Sequence, residues 1–373
     1  MSERYDADVA IIGAGPAGTA AAAHLGQLGI DRVVLVDRHD FPRHKTCGSG
    51  ISPRGIDVLK ELGVWEAVSA ESYRINALRL VTPGGRESFQ SAGDALEAVI
   101  CQRRTLDHLL LKRALEGGTT FLPYFHADHL IEANGRVRGF VARDGREVRA
   151  RYTMVAGGTH CTVGVSNRPR KMIQAIMGWW RGVDFRPHTV EMIFDRMIAP
   201  YYGWLFPESD EVVNIGITYE DPEGAPRHKA RDLFQAFLDK HYGDRLQGGE
   251  QIGRWKGHPI AYSYRIDNVT SPGRIVIGES ALLTHPATAE GIYQGMRSGM
   301  LGAEAVKATM LDGEDEAKAF ARYEQRIKRA FLLSFWGGAL FRKVVKTPAL
   351  DWLVAASEQP IVASVSAKLM ALM

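Results

Sequence analysis

The first forty residues combine short apolar runs with a glycine-rich turn. Residues 9–12 form an apolar run, which is followed by Gly13-Ala-Gly-Pro-Ala-Gly and by an alanine-rich stretch that ends near Leu28. A second apolar run, residues 33–36, ends at Asp37. Short continuous apolar runs are typical of buried strands, and the longer alanine-rich stretch favours a helix. The pattern therefore predicts a strand, a tight turn, a helix and a second strand.

The spacing of the three glycines in this turn predicts a dinucleotide site. Gly13 permits the tight turn, Gly15 lets the backbone approach a pyrophosphate, and Gly18 lets the helix pack closely on the strand. The start of the helix offers free N–H groups and the positive end of its dipole to phosphates. Asp37 lies where a carboxylate accepts hydrogen bonds from ribose hydroxyls. The candidate cofactor-binding residues of this stretch are Gly13, Ala14, Gly15, Pro16, Ala17, Gly18, Asp37 and Arg38.

The remaining sequence predicts a second, sheet-rich unit. Residues 173–218 contain several β-like aromatic runs with no helical pattern between them, which indicates a separate sheet. Asn134-Gly135 and Asp144-Gly145 predict two hairpins. Helices are expected at residues 52–63 and 230–241, and a buried strand is expected to end at Gly278-Glu279. The chain then returns to the first unit, so the cofactor domain is expected to be discontinuous.

Alternation along residues 202–206 places three aromatic side chains on one strand face. Tyr202, Trp204 and Phe206 are separated by single residues, and side chains two apart point to the same side of a strand. Such a face forms an aromatic wall against an apolar ligand, or an ordinary sheet core. Trp179 and Trp180 are adjacent and point in opposite directions, so at most one of them shares this wall.

Composition narrows the class of protein. The chain has 373 residues and a net charge of +3, which argues against a large nucleic-acid-binding surface. Its three cysteines, Cys47, Cys101 and Cys161, give no metal-binding spacing and suit a reducing cytoplasm. The polar start leads directly into the first strand, so no signal peptide is expected, and no apolar run is long enough to span a bilayer.

Four further segments match known motifs. They are Lys45-Thr-Cys-Gly-Ser-Gly, Arg103-Arg-Thr-Leu-Asp, Tyr202-Gly-Trp-Leu-Phe-Pro and Pro286-Ala-Thr-Ala-Glu-Gly-Ile. Together with the glycine motif and Asp37, they make the chain resemble the geranylgeranyl reductase family of FAD-dependent oxidoreductases. That family lies within the p-hydroxybenzoate hydroxylase-like flavoprotein group, and the resemblance extends over nearly the whole chain.

The resemblance implies an α/β fold. We expect a discontinuous, Rossmann-like FAD-binding domain, an inserted antiparallel β-sheet substrate domain and a helical C-terminus. The expected FAD-binding domain comprises residues 1–75, 98–165 and 270–325. The expected substrate domain comprises residues 76–97 and 166–269, and the C-terminal helical segment comprises residues 326–373.

The resemblance also implies site residues. It places Cys47 beside the flavin, Arg103 on the FAD, and the helix that begins at Gly291 near the pyrimidine edge of the flavin ring. The further FAD contacts are expected to be Gly48, Ala127, Gly278, Glu279, Pro286 and Ile292. The candidate catalytic residues are Cys47, Tyr202 and Trp204, with Tyr202 and Trp204 lining the lipid cavity.

Two positions depart from the family pattern. The family usually has Gly-Asp where this chain has Gly278-Glu279, and it usually has Ala-Asp-Gly where this chain has Ala156-Gly157-Gly158. The first change lengthens an acid that usually contacts the ribityl chain. The second removes a carboxylate that helps to hold the cofactor loops.

The preferred function is reduction of a carbon–carbon double bond. The resemblance implies that reduced flavin transfers a hydride to a polyprenyl or other lipid-like alkene. No second glycine motif is present, so the reductant is expected to be NAD(P)H that binds transiently or a ferredoxin-like partner protein. The alternatives are a flavin-dependent monooxygenase or halogenase that acts on an aromatic or polyketide substrate, and a non-enzymatic flavoprotein or carrier of apolar ligands.

The C-terminal tail has three interpretations. From Phe331 it carries apolar and aromatic residues among Lys and Arg. It could contact a membrane surface peripherally, cover the cavity as a lid, or form ordinary core. The protein is expected in the cytoplasm, and the first of these interpretations adds association with a membrane.

Overall fold

A computed structural model describes residues 3–95, 98–165, 171–221 and 229–356. The strands in these ranges are β1 Arg4–Ile12, β2 Val33–Val36, β3 Gly50–Ile51, β4 Tyr73–Ile75, β5 Ala77–Val81, β6 Glu87–Ser91, β7 Ala98–Ile100, β8 Thr120–Leu122, β9 Ala127–Ala133, β10 Arg136–Ala142, β11 Glu147–Val155, β12 Lys171–Arg181, β13 Thr189–Phe194, β14 Tyr202–Pro207, β15 Val212–Tyr219, β16 Glu250–Tyr262, β17 Thr270–Ser271 and β18 Arg274–Val276. The helices are α1 Pro16–Gln27, α2 Pro53–Glu61, α3 Trp65–Ala70, α4 Arg103–Glu116, α5 Ala230–Leu246, α6 Ile292–Met310, α7 Glu316–Val345 and α8 Ala349–Ala356, with a 3₁₀ turn at Gly278–Ala281.

The first sheet carries the glycine-rich turn. Its strand order is β17-β18-β11-β1-β2-β8, with β10 paired to β11 and β9 paired to β10. The pairs β1–β11, β1–β2, β2–β8 and β11–β18 are parallel. In an open parallel sheet, ligands bind beyond the carboxyl ends of the strands. The predicted strand–turn–helix–strand unit is confirmed as β1, α1 and β2.

Small residues bring α1 close to α6. Ala20–Ala23 of α1 are fully buried. A Cβ atom at Gly299 of α6 would lie 2.3 Å from the carbonyl oxygen of Ala17, so the two helices touch along their backbones. This contact brings the beginnings of both helices to the same side of the first sheet.

The second sheet has the order β16-β12-β15-β14-β13-β5-β6. Its pairs are antiparallel except β13–β5, which is parallel and joins β13 to a strand from an early part of the chain. The expected antiparallel sheet is therefore mixed at one pair. One face packs on α5 through residues such as Ile215 and Phe237, and the other face carries Tyr202 and Trp204.

The smaller third sheet, β3-β7-β4, lies early in the chain. The predicted hairpins at Asn134-Gly135 and Asp144-Gly145 are confirmed, since each dipeptide separates two paired antiparallel strands. The expected helices over residues 52–63 and 230–241 are confirmed as α2 and α5.

The C-terminal helices cover the second sheet. Phe341 and Val345 of α7 and Leu350 and Val354 of α8 pack in one cluster with Trp204. Residues 357–373 of the expected C-terminal helical segment lie outside the described residues, as do residues 1–2, 96–97, 166–170 and 222–228 of the expected domains. Among the helices that are described, none has the length and hydropathy needed to cross a membrane.

Candidate active site

The glycine-rich turn adopts a backbone that only glycine tolerates. Gly13 has φ +99°, and a Cβ atom there would lie 2.5 Å from the carbonyl oxygen of Ala156. A Cβ atom at Gly18 would lie 1.9 Å from the carbonyl oxygen of Gly13. At Gly15, by contrast, the nearest atom to such a Cβ is Arg103 Nη2, 3.9 Å away. Gly13 and Gly18 are therefore required by the fold, whereas Gly15 leaves open space above the turn.

The first turn of α1 has no side chain that satisfies its N–H groups. Gly15 is the N-cap residue, no side chain caps the helix, and the first turn carries no acidic residue. Uncapped N–H groups and the positive end of the helix dipole favour an anion. The turn is therefore suited to the pyrophosphate of a dinucleotide.

Asp37 fixes the turn to the end of β2. Its Oδ2 accepts a hydrogen bond from the Ala14 N–H at 2.9 Å, and its Oδ1 accepts from the His39 N–H at 3.0 Å. A carboxylate has about four acceptor positions, so these two bonds leave Asp37 able to accept from a ligand hydroxyl as well. Ala14 therefore acts through its backbone bond to Asp37.

One cavity of about 830 Å³ connects the glycine-rich turn with the aromatic face of the second sheet. The predicted site residues on its wall are Gly13, Gly15, Pro16, Ala17, Asp37, Arg38, Cys47, Gly48, Arg103, Ala127, Tyr202, Trp204, Glu279, Gly291 and Ile292. The structure brings all of these residues together, although they come from distant parts of the chain.

Four predicted residues lie behind this wall: Ala14, Gly18, Gly278 and Pro286. Gly278 has φ +60°, and its N–H donates to Ser298 Oγ at 2.9 Å. A Cβ atom there would lie 2.7 Å from Ala17 Cβ, so Gly278 lets the 3₁₀ turn pack on α1. Pro286 is buried in the loop that leads to α6. Packing behind the cavity wall accounts for the positions of these residues.

A second helix begins at the same cavity. Gly291 is the N-cap of α6, which has neither a side-chain cap nor an acidic residue in its first turn. The preceding loop is held by His285, whose Nδ1 accepts from the Thr288 N–H at 3.1 Å. Burial lowers the pKa of His285 to about 4, so this imidazole is neutral near pH 7. His285 therefore anchors the loop, and α6 begins at the cavity wall without a side-chain cap, next to the buried carboxyl group of Glu290, whose pKa is raised by burial.

The two adjacent arginines at the start of α4 lie in different environments. Arg103 lines the cavity and donates two hydrogen bonds to Asp107, at 2.7 and 2.8 Å, while Arg104 is exposed. Burial opposes the charge of Arg103, but Asp107 outweighs it and holds the pKa of Arg103 above its ordinary value. Asp107 therefore supplies a negatively charged partner for Arg103 within the chain.

Arg43 supplies unsatisfied donors beside this pair. Its Nη1 lies 3.2 Å from Asp107 Oδ2, and its guanidinium stacks 4.6 Å from the centre of the Phe41 ring. Nε of Arg43 is buried and has no hydrogen-bonded partner among the described residues, and Nη1, although it is ion-paired with Asp107, makes no hydrogen bond to it. Buried donors of this kind indicate a ligand with acceptor oxygens. With the two uncapped helices, they make the residues of this cavity a good fit to FAD.

The aromatic wall uses its polar atoms inside the protein. The Tyr202 hydroxyl donates to the Thr288 carbonyl at 2.6 Å, and Trp204 Nε1–H donates to Asn214 Oδ1 at 2.7 Å. Burial raises the pKa of Tyr202 above its ordinary value. Phe206 lies beside Trp204, with ring centres 6.0 Å apart. These side chains therefore present ring surface to the cavity, and the bonded Tyr202 hydroxyl is poorly placed as a proton donor.

The two adjacent tryptophans of β12 separate as expected. Trp179 packs in the cluster that contains Trp204, whereas Trp180 packs on the opposite side of the sheet near Phe234. Trp179 Nε1–H donates to Glu208 Oε1 at 2.9 Å. The prediction that at most one of the pair lies on the side of the aromatic wall is confirmed.

The loop that carries Cys47 lies against the aromatic wall. A Cβ atom at Gly48 would lie 3.4 Å from the Phe206 ring and 3.5 Å from Trp204 Nε1. Cys47 is half-buried on the cavity wall, and its Sγ accepts from the Ser49 N–H at 3.3 Å. The thiol thus lies between the cofactor side of the cavity and the aromatic side.

A lysine–histidine pair in the cavity was missed by the sequence analysis. Lys45 Nζ lies 2.6 Å from His258 Nε2, and the His160 ring lies 5.4 Å from that of His258. Burial and the charge of Arg103 lower the pKa of Lys45 to about 8, and burial and Lys45 lower the pKa of His258 to about 4. Lys45 therefore donates to a neutral imidazole. Lys45 stood inside a recognised motif, but no local pattern indicated either histidine.

The two residues that depart from the family pattern, Gly157 and Glu279, each contact a specific neighbour. A Cβ atom at Gly157 would lie 2.7 Å from Cys161 Sγ, so Gly157 leaves room for that thiol. Glu279 lines the cavity, and its Oε1 accepts from the Ala261 N–H of β16 at 3.0 Å. Glu279 therefore ties the cofactor side of the cavity to the second sheet.

The comparisons with known proteins agree on one family. The FAD binding domain family model matches residues 6–329. The menaquinone reductase of Mycobacterium tuberculosis is 30% identical over 85% of this chain and 79% of its own length. Digeranylgeranylglycerophospholipid reductase 2 of Methanopyrus kandleri is 26% identical over 88% of this chain and 84% of its own length.

Solved structures share the fold. A geranylgeranyl bacteriochlorophyll reductase-like protein from Thermoplasma acidophilum superposes with a TM-score of 0.85 at 22% identity, covering 95% of this chain and 92% of its own. A flavin-dependent brominase superposes with a TM-score of 0.82 at 19% identity, covering 98% and 94%. At these identities the similarities establish the architecture alone.

Gly15→Ala tests the dinucleotide site. The new methyl group would enter open space above the turn, and the backbone of Gly15 (φ −74°) is accessible to alanine, so the apoprotein should keep its thermal stability. FAD affinity should fall about tenfold or more, because the pyrophosphate needs that space. Titration with FAD and thermal unfolding of the apoprotein measure the two effects. Gly18→Ala is the control that should destabilise the apoprotein itself, and unchanged FAD affinity in Gly15→Ala would contradict the site.

Lys45→Met tests the buried lysine. Because the pKa of Lys45 is lowered from 10.5 to about 8, the folded chain releases this proton at lower pH than the unfolded chain. Between about pH 8 and 10 the stability of the wild type should therefore rise relative to Lys45→Met, by on the order of 1 kcal/mol. Urea unfolding of the apoprotein measures this difference, with the exposed Lys112→Met as control. If the difference in unfolding free energy between the wild type and Lys45→Met does not change with pH, the pKa of Lys45 is not lowered in the folded chain.

Proposed function

Because the chain belongs to the FAD binding domain family, we propose that it is an FAD-dependent oxidoreductase that reduces carbon–carbon double bonds of an apolar, lipid-like substrate. The observation that carries this proposal is the single cavity that joins the glycine-rich turn to the aromatic wall of the second sheet. A cofactor site and an apolar pocket in one continuous space allow a ring bound at one end to meet a hydrocarbon chain at the other.

The chain's own residues would hold FAD in a defined direction. The N–H groups at the start of α1, together with Arg43, would bind the pyrophosphate, and Asp37 and Arg38 would contact the adenosine half. The N–H groups at the start of α6, beginning at Gly291 and Ile292, would stabilise negative charge on the ring. Bound FAD supplies the redox chemistry, while the protein supplies orientation and electrostatics.

The aromatic wall would position the substrate. Ring surfaces of Tyr202, Trp204 and Phe206 exclude water and offer a flat apolar contact to an extended hydrocarbon chain. Met177 and Met192 also line this part of the cavity, and flexible thioethers adapt to an irregular ligand. In this proposal Tyr202 and Trp204 contact the substrate without exchanging a proton with it.

Reduction of an alkene also requires a proton. Cys47 lies on the cavity wall between the cofactor side and the aromatic side. Lys45, two residues earlier in the sequence, lines the same cavity. We propose that the thiol of Cys47 or the ammonium of Lys45 delivers this proton to the substrate carbon. Each donor is renewed from solvent, and His160, which is exposed beside His258, offers a connection to it.

The names of the relatives suggest the substrate class. One relative is named a digeranylgeranylglycerophospholipid reductase and another a menaquinone reductase. We therefore propose a polyprenyl-type substrate. For the reductant, we propose NAD(P)H binding transiently or a ferredoxin-like protein. We further propose that residues 1–75, 98–165 and 270–325 form the FAD-binding domain, that residues 76–97 and 166–269 form the substrate domain, and that the C-terminal helices contact a membrane peripherally.

The direct test is anaerobic turnover. The purified chain should show a bound-flavin spectrum, and the spectrum should bleach with a suitable reductant. When a detergent-dispersed polyprenyl lipid is added without oxygen, the flavin should reoxidise and the lipid mass should rise by two hydrogens per reduced bond. Turnover that requires oxygen and adds an oxygen or a halogen atom would replace this proposal with a monooxygenase or halogenase. Protein that stays colourless after FAD is added would favour a carrier.

Phe206→Ala tests the aromatic wall. Phe206 has no polar partner to lose, so its removal should weaken flavin binding much less than it lowers kcat/KM for the apolar substrate, which should fall about tenfold. Phe185→Ala is the matched control, because Phe185 is half-buried in the cluster on the opposite side of the same sheet. The comparison uses the anaerobic reoxidation assay. Equal effects of the two substitutions would place the substrate elsewhere.

A further inference from the structure

The outward face of α7 combines apolar and basic side chains. Residues that follow one another at spacings of four and three share one face of a helix. On α7 this pattern gives Arg322, Arg326, Arg329, Leu333, Trp336, Leu340 and Lys343. The face therefore has an apolar centre between two basic ends.

The apolar centre is exposed to an unusual degree. Leu333, Trp336 and Leu340 are 84, 62 and 64% exposed. Trp352 and Leu353 of α8, the next helix, are 74 and 52% exposed. Contiguous exposed apolar side chains mark a surface that binds another molecule or a membrane.

The charge of this segment favours a negatively charged partner. Residues 325–350 contain six basic residues and no acidic one, although three of the six, Arg326, Lys328 and Arg342, are ion-paired with glutamates outside this range. Arg329 and Lys343, at the two ends of the apolar centre, have no ion-pair partner in the described ranges. The neighbouring carboxylates point elsewhere, since Glu324 accepts from Thr270 Oγ1 at 2.8 Å and Asp351 accepts from the Gly84 N–H at 3.0 Å.

A second copy of the chain suits this face poorly. A two-fold antiparallel pairing centred on Trp336 would bring Arg329 of one copy next to Lys343 of the other. Like charges at such a contact oppose association. A lipid surface with anionic headgroups satisfies both features, because Trp and Leu enter the interface while Arg and Lys meet the headgroups.

The inward face of α7 contacts the proposed active site. Phe341 and Val345 pack in the cluster that contains Tyr202 and Trp204. Two turns earlier in the same helix, the Ser334 carbonyl lies 3.2 Å from Nε2 of His285, the residue that holds the loop before α6. A membrane on the outward face would therefore lie one helix away from the substrate end of the cavity.

We propose that the outward face of α7, from Arg329 to Lys343, docks on an anionic lipid bilayer surface and brings the cavity to its lipid substrate. The docking follows from this surface alone, and its link to the substrate rests on the proposed function. Leu333, Trp336 and Leu340 enter the headgroup–acyl boundary, and Arg329 and Lys343 contact the headgroups.

The test uses the flavin-loaded full chain and vesicle flotation. The wild type should float with vesicles of phosphatidylcholine and phosphatidylglycerol and much less with phosphatidylcholine alone. The variant Leu333→Ser/Trp336→Ser/Leu340→Ser should bind the anionic vesicles at least about tenfold more weakly. Arg329→Gln and Lys343→Gln should each weaken binding about fivefold. Leu311→Ser, at an exposed apolar position (53%) that directly follows α6, should have no effect.

Several results would overturn the docking proposal. The docking is rejected if the wild type fails to float with anionic vesicles. This result is expected if residues 357–373 or a second copy of the chain cover the outward face of α7. Unchanged flotation of the triple variant, or an equal loss in Leu311→Ser, would also reject the docking. Reduction of a detergent-dispersed lipid by a chain that does not float would reject the docking and retain the proposed function. Flotation without reduction of the lipid would reject the proposed function and retain the docking.

Discussion

Two helices that begin at one cavity with uncapped N–H groups place the main constraint on the rest of the structure. The first turns of α1 and α6 have neither a side-chain cap nor an acidic residue, and close packing of Gly299 on Ala17 holds the two helices together. Backbone N–H groups at a helix start need an acceptor and favour negative charge. A ligand that carries both a pyrophosphate and an electron-accepting ring would satisfy both helices at once.

Polar contacts between the two sheets follow from this arrangement. Glu279 accepts from the Ala261 N–H, and the Tyr202 hydroxyl donates to the Thr288 carbonyl, so each joins the cofactor side of the cavity to the second sheet. Gly216, paired with Trp204 across the strands, leaves room for the indole, since a Cβ atom there would lie 2.3 Å from its ring. The polar atoms of the wall are thus used to fix distances, and the ring faces are left for an apolar ligand.

Local patterns predicted a large part of this fold. The strand–turn–helix–strand unit follows from glycine spacing and apolar runs, and the common face of Tyr202, Trp204 and Phe206 follows from strand alternation. The parallel pairing of β13 with β5 did not follow, because strand order depends on contacts between distant parts of the chain. For the same reason the contact of Lys45 with His258, 213 residues away, has no local signature. The pairing of Arg103 with Asp107, by contrast, joins residues one helical turn apart, at a spacing that the sequence itself displays.

The most direct test of the central claim is an experimental structure of the chain with bound FAD. We expect the pyrophosphate to lie on the first turn of α1 at Gly15, and the isoalloxazine ring to lie between the start of α6 at Gly291 and the side of the cavity formed by Trp204 and Phe206. An FAD molecule whose pyrophosphate lies away from α1 would contradict the account. So would an isoalloxazine ring separated from Trp204 by a closed protein wall.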